Sequence, residues 1–251
     1  DGLRNQSVLY WVETADGEPR LRLDPYTLSS DGTVALGPSA VSRDGQFLAY
    51  SLSAAGSDWQ EWHVRRVETG EDLPDRIQWA KFTGASWSKD NLGFYYSRYD
   101  APAEGLAYKG ANYFQKLYYH RLGTPQGADR LVYERPDQKE WGFGGQVSDD
   151  GRYLVISVWH GTFQENGLFY QDLGDPGAPV AALFDRFDAT YEYLGNDGGL
   201  FYILTNRDAP QQRVIAVDLA HPGPGEWREV IPESSDTLQG AALTGDTLFA
   251  V

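Results

Sequence analysis

The sequence predicts an all-β chain, a β-propeller of four-stranded antiparallel blades, and three observations carry that reading. First, an apolar residue is followed three positions later by Asp five times: Val41–Asp44, Trp87–Asp90, Val147–Asp150, Leu194–Asp197 and Leu243–Asp246. Second, a strand-like run follows each acid, at Phe47–Tyr50, Phe94–Tyr96, Tyr153–Ile156, Leu200–Ile203 and Leu248–Val251. Third, the acids are 46, 60, 47 and 49 residues apart. A strand–turn–strand unit repeated at that period is the signature of a propeller blade.

Within a unit, four strands are expected. In the third repeat, small residues from Gly144 to Ser148 form the innermost strand, and Asp149-Asp150-Gly151 turns the chain, because Asp and Gly tolerate hairpin backbone angles. The apolar run Arg152 to Trp159 reads as a strand buried on both faces. Gly167 to Leu173 and Pro179 to Phe184 complete the blade. Third strands align across repeats at Leu117 to Gly123, Leu168 to Gly174 and Val214 to Leu219, with a more degraded copy at Trp62 to Gly70. The long spacing of 60 is explained by an inserted loop over Asp100 to Ala111. No stretch sustains a 3.6-residue period with caps, so no long helix is expected. The count is about four full blades, a partial first one and the start of a last one. Residues 1–251 are therefore read as one partial propeller domain, cut within blades at both ends, of a longer polypeptide.

Composition fits this reading. With 41% hydrophobic residues, 8 Trp, 16 Tyr and 11 Phe, the chain can fill the spaces between stacked blades. Its net charge of −15, with no Lys/Arg cluster, argues against nucleic acid and against an anionic membrane surface as partners. No run of about 18 apolar residues indicates a transmembrane helix. A soluble protein is expected, with no choice between cytoplasm and periplasm. The chain has no Cys, which excludes disulfides and thiol catalysis. Asn5-Gln6-Ser7 matches a glycosylation sequon and is given little weight.

No residue pattern makes this chain an enzyme by itself, so no catalytic residue is assigned. Gly84-Ala85-Ser86-Trp87-Ser88 lacks the last Gly of a nucleophile elbow and falls on an expected inner strand, a poor place for an exposed Ser86. His63, His120, His160 and His221 have no partners at metal-ligand spacing, so no metal and no cofactor are expected. His120, beside Tyr118 and Tyr119, is read as packing or surface. Asp149-Asp150 lacks the spacing of a calcium loop and is better read as a hairpin.

The ordered set Leu23-Asp24-Pro25-Tyr26, Ser42-Arg43-Asp44-Gly45, Leu52 to Trp59, Leu73-Pro74-Asp75, Lys81-Phe82, Gly93 to Tyr96, Gln115 to His120 and Ser148 to Tyr153 carries more than generic blade features. It resembles the propeller of the prolyl oligopeptidase (prolyl endopeptidase) family of serine peptidases, over nearly the whole chain. The resemblance implies a seven-bladed propeller, of which about five blades are present here, capping an α/β-hydrolase domain that holds a Ser-Asp-His triad. It implies that the propeller gates substrate, excluding folded proteins and admitting short proline-containing peptides, which are cut after proline. The hydrolase domain, absent from this sequence, is then the expected partner, together with such peptides.

By the same resemblance, Phe82 matches the aromatic of a distal substrate pocket, although a core Phe at a blade edge fits the residue equally well. Trp159 to Thr162 matches a second pocket wall. Thr162 stands where mammalian members carry a reactive Cys, so thiol sensitivity is not expected. Phe143 falls at a third wall. The competing reading is a free-standing, TolB-like binding or scaffold propeller without catalytic activity, which uses the same Ser-x-Asp-Gly turns.

Overall fold

The computed structural model describes residues 6–29, 32–54, 56–103, 105 and 112–251. Of the expected insertion, residues 104 and 106–111 lie outside this set, as does Asn5 of the sequon. The chain forms two compact units, residues 1–139 and 140–251.

The first unit opens with a strand pair, β1 (Leu9–Trp11) and β2 (Arg20–Leu23). Next come two four-stranded antiparallel sheets. One is β3 (Val34–Val41), β4 (Phe47–Ala54), β5 (Gln60–Arg66) and β6 (Asp72–Ala80). The other is β7 (Ser86–Trp87), β8 (Gly93–Arg98), β9 (Lys116–Arg121) and β10 (Arg130–Tyr133). They join at one point, where Ala80 pairs with Arg98.

The second unit holds two more such sheets. The first is β11 (Trp141–Val147), β12 (Tyr153–His160), β13 (Asn166–Asp172) and β14 (Ala181–Phe184); the second is β15 (Tyr191–Asp197), β16 (Leu200–Thr205), β17 (Arg213–Asp218) and β18 (Arg228–Ile231). A last pair is β19 (Ala241–Thr244) and β20 (Thr247–Ala250). The described helical content is three short 3-10 turns, and no described helix is long and apolar enough to cross a membrane. The expected inner strand beginning at Gly144 starts earlier, at Trp141, because Trp141, Gly142 and Phe143 continue the ladder against His160, Trp159 and Val158.

The recurring Asp does the same work in three blades. Ser42 Oγ donates to Asp44 Oδ1 at 2.6 Å, Ser88 Oγ to Asp90 at 2.6 Å, and Ser148 Oγ to Asp150 at 2.5 Å. Each carboxylate also accepts the backbone N–H two residues on, from Gln46, Leu92 and Arg152. Gly45 and Gly151 then take φ of 73° and 77°, a region open to Gly without penalty, and Asn91 occupies the same place at 57°. The Leu of each third strand closes the blade on this turn. Leu122, Leu173 and Leu219 donate their N–H to the carbonyls of Leu92, Arg152 and Gly199, and Val67 donates to Gln46 in the first sheet.

Apolar layers fill the space between adjacent sheets. In the first unit Trp62, Val64, Ile77, Trp87, Phe94 and Tyr96 share one core; in the second, Tyr153, Val155, Leu168, Tyr191, Phe201 and Ile215 share another. Adjacent turns are also laced by polar groups. Arg43 N–H donates to Asn91 Oδ1, and Asn196 Nδ2 donates to Asp150 Oδ2.

His120 is not simple packing. Fully buried, it bridges two sheets, with Nε2 2.9 Å from Asp75 Oδ1 of β6 and Nδ1 2.7 Å from Asp129 Oδ1. Gly123 N–H also donates to Asp75, and Tyr96 OH donates to Asp129 at 2.6 Å. Burial alone lowers the pKa of an imidazole, but hydrogen bonds to the two carboxylates outweigh it and raise that of His120 to about 9. The bridge is therefore a cation between two anions. Replacing His120 with Ala strands two buried carboxylates and is expected to cost about 3–5 kcal/mol in a denaturant melt. The bridge's contribution is complete below about pH 6.5, where folded and unfolded imidazole are both protonated, and falls away as pH rises through about 9. The wild-type melting temperature should drop over that interval, and the drop should be absent in His120→Gln.

Candidate functional site

Antiparallel connection sorts the loops of a blade to its two ends. The Ser-x-Asp-Gly turns and the third-to-fourth-strand loops lie at one end. The second-to-third-strand loops and the crossovers to the next blade lie at the other. Phe82, Trp159 and Thr162 all fall at this second end of their own blades.

Phe82 sits in the crossover after β6. It is 57% exposed, so the core reading does not hold, and its φ of 56° lies in the left-handed region that disfavours a bulky side chain. An exposed Phe in a strained backbone must be held by its surroundings. Three contacts hold it. Gln115 Nε2 donates to the Lys81 carbonyl at 2.8 Å, and buried Thr83 Oγ1 accepts the Ser97 N–H. Lys81 Nζ lies 3.2 Å from Asp58 Oδ2, 5.0 Å from the Phe82 ring centroid and 5.5 Å from that of Trp59. Trp59 meets Trp79 and Tyr99 edge-on. The Lys81 ammonium thus bridges an exposed ring to a packed aromatic cluster.

Trp159, half-buried near the end of β12, lies across the neighbouring strand where Gly142 leaves room: a Cβ on Gly142 would be 2.2 Å from the indole. Thr162 is exposed in the following loop. Phe143 is different. It is 1% exposed and faces the core.

Two exposed aromatics were not anticipated from the sequence. Phe163, beside Thr162, is 66% exposed and packs against His160, whose Nε2 is 3.1 Å from Glu140. Phe114 is 45% exposed at φ 62°, next to the Gln115 that anchors the Phe82 loop. The available signal was an isolated aromatic in a polar loop, as in Gly161-Thr162-Phe163-Gln164-Glu165.

Each of the four histidines faces a carboxylate: His63 Glu61, His120 Asp75 and Asp129, His160 Glu140, and His221 Asp218. Ser86 is half-buried in β7, paired with Tyr95. Among the described residues, no group of three or more His, Cys, Asp or Glu side chains is arranged to hold a metal.

The sequence pattern of the prolyl oligopeptidase N-terminal β-propeller domain matches residues 1–251. The chain belongs to this family. It is 36% identical over 239 residues to the prolyl endopeptidase of Elizabethkingia meningoseptica, covering 95% of this chain and 33% of the relative. It is 35% identical to prolyl oligopeptidase A of Galerina marginata, covering 100% and 38%. Prolyl oligopeptidase B of Galerina marginata, solved bound to a 25mer macrocyclization substrate, superposes with a TM-score of 0.88 at 30% identity, over 98% of this chain and 38% of that one. The chain thus spans about a third of the length of these relatives. Its sheets match the propeller fold of that N-terminal domain.

The Gly142–Trp159 contact makes a direct prediction. Gly142→Ala should expel the indole from its seat and cost about 1–3 kcal/mol, by overpacking. A shift in tryptophan emission together with a lower melting temperature would show it; unchanged emission would mean that Trp159 is not held there.

Proposed function

We propose that this propeller gates the entry of short proline-containing peptides to an α/β-hydrolase active site borne by the same polypeptide, a serine endopeptidase that cleaves after proline. Folded proteins are kept out, and extended peptides pass. The similarity to prolyl endopeptidases over the whole chain supports the reading, and nothing favours a free-standing scaffold. The observation that carries it is Phe82: an exposed ring, on strained backbone, pinned by Gln115, Thr83 and the Lys81–Asp58 pair. A side chain held rigidly in solvent is suited to receive an apolar residue of a peptide, since little ordering remains to oppose binding. Trp159 and Thr162 form a second contact surface on their own blade. No cofactor takes part in this reading.

Truncating Phe82 to Ala removes apolar contact worth about 1–3 kcal/mol when the ring is fully covered by substrate. In the full-length polypeptide, Phe82→Ala should lower kcat/KM for long peptides with an apolar residue upstream of proline and spare minimal proline substrates. Because the ring is exposed, the melting temperature should hardly move. Equal losses on both substrates would refute the assignment.

A further inference from the structure

The second unit contains a crevice of about 310 Å³ between the sheet of β11–β14 and the inner strand β15. Its origin is local. Gly144 pairs with Ser157 across β11 and β12, so two small residues stand where the neighbouring positions carry Val155 and Leu168. The facing sheet cannot fill the gap, because Asn166 fixes the distance. Its Oδ1 accepts the Tyr191 N–H at 2.7 Å, and its Nδ2 donates to the Tyr191 carbonyl at 2.9 Å. Such a two-point clamp of an amide on one backbone residue makes the crevice a built feature rather than a slack one.

The chemistry of the lining is one-sided. Gln146, Gln212 and Glu192 reach the crevice, and their side chains make no hydrogen bond within the described residues. No Lys or Arg lines it, so the Glu192 carboxylate has no counter-charge there. Two uncommitted carboxamides can donate to and accept from a peptide backbone. An uncommitted carboxylate favours a cation, and the net charge of −15 adds long-range attraction for one.

We propose that this crevice binds a peptide segment through an ammonium or guanidinium group, which Glu192 receives while Gln146 and Gln212 hold the adjoining backbone. The ligand class rests on the reading of this domain as one that admits peptides. In that setting the crevice is a specificity site for basic residues, separate from the apolar contact assigned to Phe82.

The test uses the full-length polypeptide carrying this propeller and two long fluorogenic proline peptides, identical except for lysine or acetyl-lysine upstream. An exposed ion pair of this kind contributes up to about 1 kcal/mol, so kcat/KM should favour lysine by about two- to fivefold. The preference should shrink at high salt. Glu192→Gln should abolish it and leave the acetyl-lysine peptide unaffected, and Ser157→Phe, which fills the crevice, should abolish it as well. Binding of the labelled lysine peptide, read by fluorescence anisotropy, should weaken by the same factor in Glu192→Gln. Binding that depends on Glu192 without any proline cleavage would keep the crevice and remove the peptidase reading. Cleavage and binding with no lysine preference, or a preference intact in Glu192→Gln, would overturn the crevice and leave the peptidase reading standing.

Discussion

A serine and an aspartate two residues later hold the hairpins on which the first three full blades are built. The Ser hydroxyl donates to the carboxylate, the carboxylate accepts the backbone N–H beyond the turn, and Ser42 and Ser148 accept a strand N–H in return. Few groups are needed, because the carboxylate satisfies donors that a tight turn would otherwise leave unpaired. Once this turn is set, the register of the first two strands follows, and with it which residues face the neighbouring blade. The third strand then docks by the N–H of its Leu or Val onto the carbonyl after the turn. The fourth blade departs from the rule. Gly195 stands two residues before Asp197, where the others carry Ser, and the amide of Asn196 reaches Gly198 and, in the preceding turn, Asp150.

Much of this was legible in the chain because it is local. The period of the acids, the strand run after each and the Leu of the third strand all belong to contacts within one blade. The sequence also led to the prolyl oligopeptidase family, through motifs that recur in order. What escaped depends on distance. The partners of His120 come from 45 residues earlier and 9 later, and nothing near Tyr118 and Tyr119 announces a buried cation.

The site was legible in part. In a strand, alternate side chains face opposite ways, so an error of one position exchanges a wall for core. Phe143 stands at a position of this kind. Its neighbours Gly142 and Gly144 share the face on which the Trp159 indole lies, and Phe143 looks the other way into the core. Exposure in loops obeys no such alternation. Phe82 could be read as core or as contact from sequence alone, and Phe163 drew no notice, since only the path of the loop decides whether its ring finds cover.

The amides of Asn91 and Asn196 have a consequence for how such a domain can vary. Each belongs to one blade and completes the turn of the blade before it, Asn91 at the Arg43 N–H and Asn196 at the Asp150 carboxylate. A blade transplanted from a distant relative would bring its own hairpin intact and still lack its neighbour's amide, or carry one with nothing to meet. Exchange should therefore succeed by adjacent pairs more readily than by single blades. The unit that repeats in the sequence is then smaller than the unit that can be inherited alone.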